Sequence, residues 1–194
     1  FFHNQEDCNS FLKNKICKKE NTFVTMGSGV NLNKFKYLKP NYNKKINFLM
    51  VSRFIYNKGV IEFFKAVELL KIKKNLHFEI VGRENNDKNN EIKKTEISQF
   101  KVLKNLKISN YIKNIDKKLK NTHFIVLPTY REGMSKSLLE AMSSGIPVIA
   151  SKVPGCNELI KENFNGFFCK PKDHKSLYTA ILKASKIDKK RYKL

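Results

Sequence analysis

The sequence of 194 residues contains no apolar run long enough to cross a bilayer, which takes about 20 residues. The longest runs, such as HFIVLP at 123–128, are far shorter. The first residues lack the charged and apolar regions of a secretory signal, and the start on two phenylalanines without Met leads us to expect a piece of a longer protein. The four cysteines show no CxxC spacing, which argues against structural zinc and favours the reduced thiols of a cytoplasmic protein.

Arginine is also scarce, since only four of the 39 basic residues are Arg although the formal net charge is +22. Base readout relies on Arg, and phosphate tracking needs a clustered basic face, whereas Lys is spread along this whole chain. With 22 Asn in addition, the pattern indicates a drift of composition, and we predict no nucleic-acid partner. The basic surface is better suited to peripheral contact with anionic lipid headgroups.

Short apolar runs alternate with helical patterns along most of the chain. The predicted strands cover 46–52, 76–82, 122–128, 147–151 and 166–169. The predicted helices lie near 59–72, 91–105, 155–162 and 173–186, and a further helix is predicted to start near Ser135 to Ser137. Continuous apolar strands that alternate with helices predict a parallel sheet covered on both faces, which is an α/β, Rossmann-like, doubly wound fold. Residues 1–45 instead resemble the tail of a preceding domain and a linker, with KPNYNKK at 39–45, so residues 46–194 form the main predicted domain.

Ligands of such sheets bind beyond the carboxyl ends of the strands, which places the candidate site before any motif is considered. In SRFIYNKG (52–59), Arg53 and Lys58 follow the first strand and adjoin a helix start, an arrangement suited to a diphosphate. In a chain so rich in Lys, both could equally be solvated surface cations. The pattern alone leaves this open.

Residues 131–142 read REGMSKSLLEAM and place two glutamates eight positions apart around a predicted helix start. The unpaired N–H groups at that start form an anion cradle, with Glu132 outside the helix and Glu140 about one turn inside. Each glutamate also has a structural explanation. Ser137 and Glu140 fit a capping box, and Glu132 could form a surface ion pair with Arg131.

Three motifs taken in order resemble the C-terminal, donor-binding half of a GT-B glycosyltransferase of family GT4 (group 1). SRFIYNKG resembles the R-x(4)-KG segment, Glu132 and Glu140 match E-x(7)-E within residues 128–160, and NGFFCKPKD (165–173) resembles the following NG segment. The resemblance covers roughly residues 20–186. The wording is most similar to bacterial members that elongate lipid-linked or surface oligosaccharides.

The resemblance implies a role for each matching position. Arg53 and Lys58 would bind the donor diphosphate and stabilise its charge as the glycosidic bond breaks, and Glu132 would hold hydroxyls of the transferred sugar. Glu140 would bind both ribose hydroxyls. The remaining donor-binding positions implied by the resemblance are Asn110, Tyr111, Ile112, Gly133, Met134, Ser135, Lys136 and Leu139, and the end of the second predicted strand adds Gly82 and Arg83 as candidates.

The resemblance further implies a retaining hexosyltransferase with a UDP-linked donor, no cofactor and no metal. It places the enzyme in the cytoplasm at the inner face of the membrane, with a lipid-linked or polysaccharide acceptor. Residues 1–45 would then be the tail of the acceptor domain with the interdomain linker, and 46–194 the donor domain. Ser135 and Lys136 replace the usual Pro and Arg, and Asn110 replaces a usual glycine, which leaves the base preference open. A non-catalytic nucleotide-sugar-binding module that needs a separate N-terminal partner is the alternative, and a GT-B epimerase or phosphorylase is a weaker one.

Overall fold

A computed structural model of the chain describes residues 1–39, 45–83 and 90–187. The strands are β1 Ile46–Val51, β2 Leu76–Gly82, β3 Leu106–Asn110, β4 Phe124–Leu127, β5 Val148–Ser151 and β6 Gly166–Cys169. The helices are α1 Gln5–Lys13, α2 Val60–Leu69, α3 Lys94–Ser98, α4 Ile115–Leu119, α5 Lys136–Ser143 and α6 His174–Ser185. Two short 3₁₀ turns cover Lys19–Asn21 and Tyr56–Lys58.

The six strands form one sheet in the order β3-β2-β1-β4-β5-β6, and every pair is parallel. The chain order reverses between β1 and β4, which is the topological switch point where ligands of doubly wound sheets bind. The predicted Rossmann-like, doubly wound fold is therefore confirmed.

Side chains of each central strand alternate between two apolar cores, as the period of a strand requires. Phe48 and Met50 enter the core beneath α2 and α6, whereas Leu49 enters the opposite core beneath α5. The Phe48 ring stacks between Phe78 and Phe124, with both centroid distances at 5.1 Å. This packing fixes β1 between its neighbours and so sets the positions of the loops that follow the strands.

The helix predicted near 91–105 is present but much shorter, and the strand that follows it was not predicted. The helix α3 is only five residues long, and β3 follows it at Leu106–Asn110. This strand lies at the edge of the sheet, where two of its five residues are exposed and none is fully buried, so its sequence LKISN lacks the apolar continuity of the central strands. The short helix α4 was missed for a similar reason, because only Leu119 of its five residues is buried.

The prediction of a helix over 155–162 was also wrong, since turns occupy this segment. Gly155 adopts φ 76°, a left-handed conformation that does not continue a helix. Two of the backbone bonds that follow close tight turns, from Cys156 N–H to Val153 O and from Leu159 N–H to Cys156 O, both at 3.1 Å. Two others span four residues, and together the four bonds form successive separate turns.

The first 39 residues pack onto this sheet domain through α1 and the loop around Gly27. Positions 40–44 of the predicted linker lie outside the described residues, and the domain boundary at residue 45 stays a prediction. Within 1–39, 45–83 and 90–187, none of the helices has the length and apolar character that crossing a membrane would take.

Candidate functional site

The predicted site residues all lie at the carboxyl edge of the sheet or on the connections that leave it. Gly82 and Asn110 are paired in register at the ends of β2 and β3. Arg53 and Arg83 are exposed just beyond β1 and β2. Glu132 to Ser135 lie on the connection from β4 to α5, and Lys136 to Glu140 are the first five residues of that helix.

Close backbone contact fixes the end of β1 against β2. Ser52 N–H donates to Val81 O at 3.1 Å, and Phe54 N–H donates to Arg83 O at 3.0 Å. A Cβ on Gly82 would lie 1.9 Å from Ser52 O, so only glycine permits this approach. Arg53 is held between these two bonds on a rigid stretch of backbone.

The 3₁₀ turn Tyr56–Lys58 is tied to the loop after β4. Tyr130 N–H donates to Asn57 O at 2.8 Å. The fully buried Thr129 hydroxyl lies 3.0 Å from both Asn57 O and Arg131 O and donates to these carbonyls. These bonds bring Lys58, which follows β1, beside Glu132, which follows β4.

Lys58 and Glu132 form a hydrogen-bonded ion pair at the switch point. Their side chains are only 22% and 11% exposed, so the pair is largely removed from water. An ammonium group has three donors, which leaves two N–H groups of Lys58 for a further anion. Arg131 pairs with Asp7 at 3.2 Å, so the expected alternative of an Arg131–Glu132 surface pair was wrong.

The helix α5 begins directly after this pair. Ser135 is its buried N-cap residue, and Lys136 is its first helical residue. Among the described residues the Ser135 hydroxyl contacts the Ser137 hydroxyl at 3.1 Å, and no side chain caps the helix. The first N–H groups of a helix have no partner within it, so this end presents donors and partial positive charge.

The structure does not place Ser137 at the N-cap, because it is already the second residue of α5. A capping box between Ser137 and Glu140 therefore does not form, and that alternative was wrong. Burial raises the pKa of Glu140, opposed by Lys136 and Lys34 and reinforced by Asp116 on α4. The charged neighbours of Glu140 thus differ from the Lys58 partner of Glu132.

Met134 and Leu139 meet the loop at Gly27. Gly27 has φ 85°, and a Cβ there would lie 2.5 Å from Met134 Cγ and 3.6 Å from Leu139 Cδ1. Both side chains thus pack against the N-terminal segment. The contacts that a bound donor would make with the Met134 backbone and with Leu139 stay a prediction.

Residues 110–112 leave β3 on the α4 side of the site. Tyr111 is 64% exposed, and Ile112 packs partly into the core beneath α5. An exposed aromatic ring beside a partly buried residue is available for stacking on a nucleotide base. This agrees with the base-contact role that the resemblance implies for these residues, which stays a prediction.

The sequence reasoning missed Tyr130, Glu62 and Asn4. The Tyr130 hydroxyl donates to Glu62 Oε1 at 2.7 Å, and burial together with this bond raises the pKa of Tyr130. This bond anchors the loop that carries Glu132 onto α2. Asn4 donates to the Gly133 carbonyl at 2.7 Å. Asn4 followed by Asp7 is an N-cap pattern, which signals a helix start but not its docking site.

Among residues 1–39, 45–83 and 90–187, no group of three or more His, Cys, Asp or Glu side chains is arranged to hold a metal ion.

Two characterised bacterial enzymes are similar to the chain in sequence. It is 31% identical over 183 residues to the N,N'-diacetylbacillosaminyl-diphospho-undecaprenol alpha-1,3-N-acetylgalactosaminyltransferase of Campylobacter jejuni, covering 88% of this chain and 47% of that protein. It is 32% identical over 142 residues to the UDP-Gal:alpha-D-GlcNAc-diphosphoundecaprenol alpha-1,3-galactosyltransferase of Escherichia coli, covering 71% and 36%. The chain thus spans about half the length of the relatives it matches or less.

Solved structures share the fold. Anabaena Alr3699/HepE in complex with UDP and glucose aligns with a TM-score of 0.82 at 19% identity, over 98% of this chain and 54% of that chain. The C-terminal domain of a glycosyl transferase group 1 family protein (LpcC) from Francisella tularensis aligns with a TM-score of 0.72 at 23% identity, over 85% and 92%.

The family profile described as glycosyl transferases group 1 matches residues 30–194, which is most of the chain. The match includes β1 to α6 and every predicted site residue. This chain therefore belongs to the group 1 glycosyl transferases.

Proposed function

We propose that this chain is the donor-binding half of a retaining glycosyltransferase that transfers a hexose from a UDP-linked donor to a lipid-linked oligosaccharide acceptor. The observation that carries the proposal is the Lys58–Glu132 pair. It lies where β1 and β4 end and α5 begins, so a cation, a carboxylate and a helix N-terminus meet at the switch point of the sheet.

The donor diphosphate is assigned to Arg53, Lys58 and the start of α5. Charge-assisted hydrogen bonds from two cations and backbone N–H groups suit a group with two negative charges. The same groups stabilise the charge that develops on the leaving diphosphate, so the proposed reaction proceeds without a metal or cofactor. Ser135 and Lys136 contribute through their backbone N–H groups.

The two glutamates are assigned to different parts of the donor. Glu132 accepts hydrogen bonds from hydroxyls of the transferred sugar beside the Gly133 and Met134 backbone. Glu140 accepts hydrogen bonds from the ribose hydroxyls. The uracil base then lies against Asn110, Tyr111 and Ile112, with Gly82 and Arg83 beside them.

The names of similar proteins support the choice of donor and acceptor. The Escherichia coli relative uses UDP-Gal, and both it and the Campylobacter relative act on diphospho-undecaprenol-linked sugars. Structures of the Anabaena protein contain UDP and glucose. A cytoplasmic protein with a net charge of +22 would in addition be attracted to the anionic inner face of the membrane, where such lipid carriers lie.

A thermal-shift screen of nucleotides and nucleotide sugars tests the proposal. We expect UDP and UDP-linked hexoses to raise the Tm of the chain, because a ligand at 100 times its Kd stabilises the folded state by about 2.7 kcal/mol. GDP-linked and CMP-linked sugars serve as controls and should shift the Tm less. A chain whose Tm is unchanged by every nucleotide diphosphate would contradict the proposal.

The alternative is a nucleotide-sugar-binding module that is not catalytic without a partner chain. It is favoured by the observation that the chain spans about half the length of its relatives or less. A transfer assay with the product of the whole gene distinguishes the two proposals, since that single product would place labelled sugar on a diphospho-undecaprenol-linked acceptor only if the same gene also encodes an acceptor-binding half.

A further inference from the structure

We infer that Asn4 is a positioning residue for sugar transfer: its side-chain amide holds the Gly133 carbonyl and so fixes Glu132 for contact with the transferred sugar. The inference rests on the proposed role of Glu132. It concerns the N-terminal segment, which carries none of the residues assigned to the donor.

The Asn4 side chain is fully buried and uses all its polar groups. Its Nδ2 donates to Gly133 O at 2.7 Å and to Asp7 Oδ2 at 2.8 Å. Its Oδ1 accepts from Asp7 N–H at 2.7 Å, which caps α1. Among the usual N-cap residues, only asparagine combines this acceptor with an amide donor that can reach the Gly133 carbonyl.

Asp7 holds the residue on the other side of Glu132. Its Oδ1 lies 3.2 Å from Arg131 Nη2, so the beginning of α1 contacts both residues that flank Glu132 in sequence. Asp7 itself is positioned by its two bonds to Asn4. The beginning of α1 therefore contacts the backbone at Gly133 and the guanidinium of Arg131, on either side of Glu132 in sequence.

The helix α1, which contacts the loop at residues 131–133, is also hydrogen-bonded to a second loop at residues 157–158. Glu158 Oε1 accepts from Gln5 N–H at 2.7 Å and from Glu6 N–H at 3.3 Å. Asn157 Nδ2 donates to Glu6 Oε1 at 2.8 Å. The start of α1 thus rests on residues 157 and 158 while it holds residues 131 and 133.

Glu132 needs such support because of its neighbours in the chain. Gly133 has no side chain to restrict the backbone, and the loop has no regular secondary structure. A functional carboxylate must be held to within about 0.5 Å of its working position. Gly155 packs against the same carbonyl, since a Cβ there would lie 2.3 Å from Gly133 O. Asn4 and Gly155 therefore both contact the Gly133 carbonyl.

The test is the gain in affinity that the sugar adds to the nucleotide. Kd values for UDP, UDP-galactose and UDP-N-acetylgalactosamine are measured on the full chain, and the gain is the ratio of the UDP value to that of the tighter nucleotide sugar. In Asn4→Ser, which keeps a capping oxygen but loses the amide donor, we expect this ratio to fall about threefold to tenfold, equivalent to losing one hydrogen bond. The Kd for UDP alone should change less than about twofold.

Glu158→Ala is the matched control, because it weakens the docking of α1 without touching Gly133. If α1 had only a structural role, Asn4→Ser and Glu158→Ala would both have a lower Tm, and the ratio of Kd values would be unchanged in both. Asn4→Asp also keeps the cap and loses the donor, so it provides a second variant if Asn4→Ser has a much lower Tm. Its ratio should fall as well.

The outcomes separate this inference from the proposed function. A chain that binds no nucleotide contradicts both. Nucleotide binding without any gain from the sugar overturns the inference and leaves the nucleotide site intact. A gain that is lost in Glu132→Gln but kept in Asn4→Ser and Asn4→Asp also overturns it.

Discussion

Lys58→Met is expected to weaken binding of UDP about 100-fold, which corresponds to the loss of about 3 kcal/mol from a charge-assisted contact. It should also lower the free energy of unfolding by about 2 kcal/mol. The reason is that Glu132, only 11% exposed, would keep its charge without the ammonium that now compensates it. Calorimetric titration and urea denaturation measure the two effects.

The double variant Lys58→Met/Glu132→Gln separates these effects. Removing both charges removes the unpaired carboxylate, so most of the lost stability should return while UDP binding stays weak. Lys65→Met, an exposed lysine on α2, is the control and should change neither quantity. UDP binding by Lys58→Met at the affinity of the unmodified chain would exclude Lys58 as a diphosphate ligand.

Gly59→Ala is expected to have the largest effect on stability, a loss of about 3 kcal/mol or more in the free energy of unfolding. Gly59 adopts φ 70°, and a Cβ there would lie 1.9 Å from Pro128 O at the end of β4. The clash involves backbone on both sides, so β4 and the turn that carries Lys58 would have to separate. UDP binding should weaken together with stability.

Gly29→Ala is a close control for this change. Gly29 has the same φ of 70°, but a Cβ there meets no atom within 4 Å. Gly29→Ala should therefore lower the free energy of unfolding by about 1 kcal/mol, which is the effect of the left-handed conformation alone. Thermal or urea unfolding of both variants compares the two sites. Equal losses for Gly29→Ala and Gly59→Ala would show that contact with Pro128 is not what requires glycine at position 59.

The sheet could be predicted from the sequence wherever strands are buried on both faces. Runs such as FIVL at Phe124–Leu127 are fully buried and therefore continuously apolar. β3 was missed because an edge strand with a partly solvated surface needs no such run. The segment 155–162 was predicted as a helix because its apolar spacing reflects packing of successive turns, which periodicity does not distinguish from a helix.

The site could be predicted only as far as it follows from strand ends and motif spacing. Lys58 and Glu132 were both predicted in the crevice, but their direct pairing depends on the bonds between Asn57, Thr129 and Tyr130, which no local pattern indicates. Asn4 lies 129 positions before Gly133, so its contact depends on tertiary structure alone. The local sequence identified the two glutamates, whereas the contacts that position Glu132 form only in the tertiary structure.

The two glutamates of REGMSKSLLEAM also differ more than their spacing suggests. The charge of Glu132 is compensated by Lys58, whereas burial raises the pKa of Glu140. A partly buried carboxylate that has given up hydration is prepared to accept hydrogen bonds from a ligand that replaces that water. This agrees with the proposed role of Glu140 at the ribose.

The most direct test of the account is calorimetric titration of UDP into the full chain and its Glu140→Ala, Arg53→Ala and Glu68→Ala variants. Glu68 is an exposed glutamate of α2 and serves as the control. We expect saturable binding by the unmodified chain and by Glu68→Ala, and affinity lower by about tenfold or more in the other two, because each loses a charge-assisted contact. Equal affinity in all four proteins, or no binding by the unmodified chain, would contradict a nucleotide diphosphate site between β1, β4 and α5.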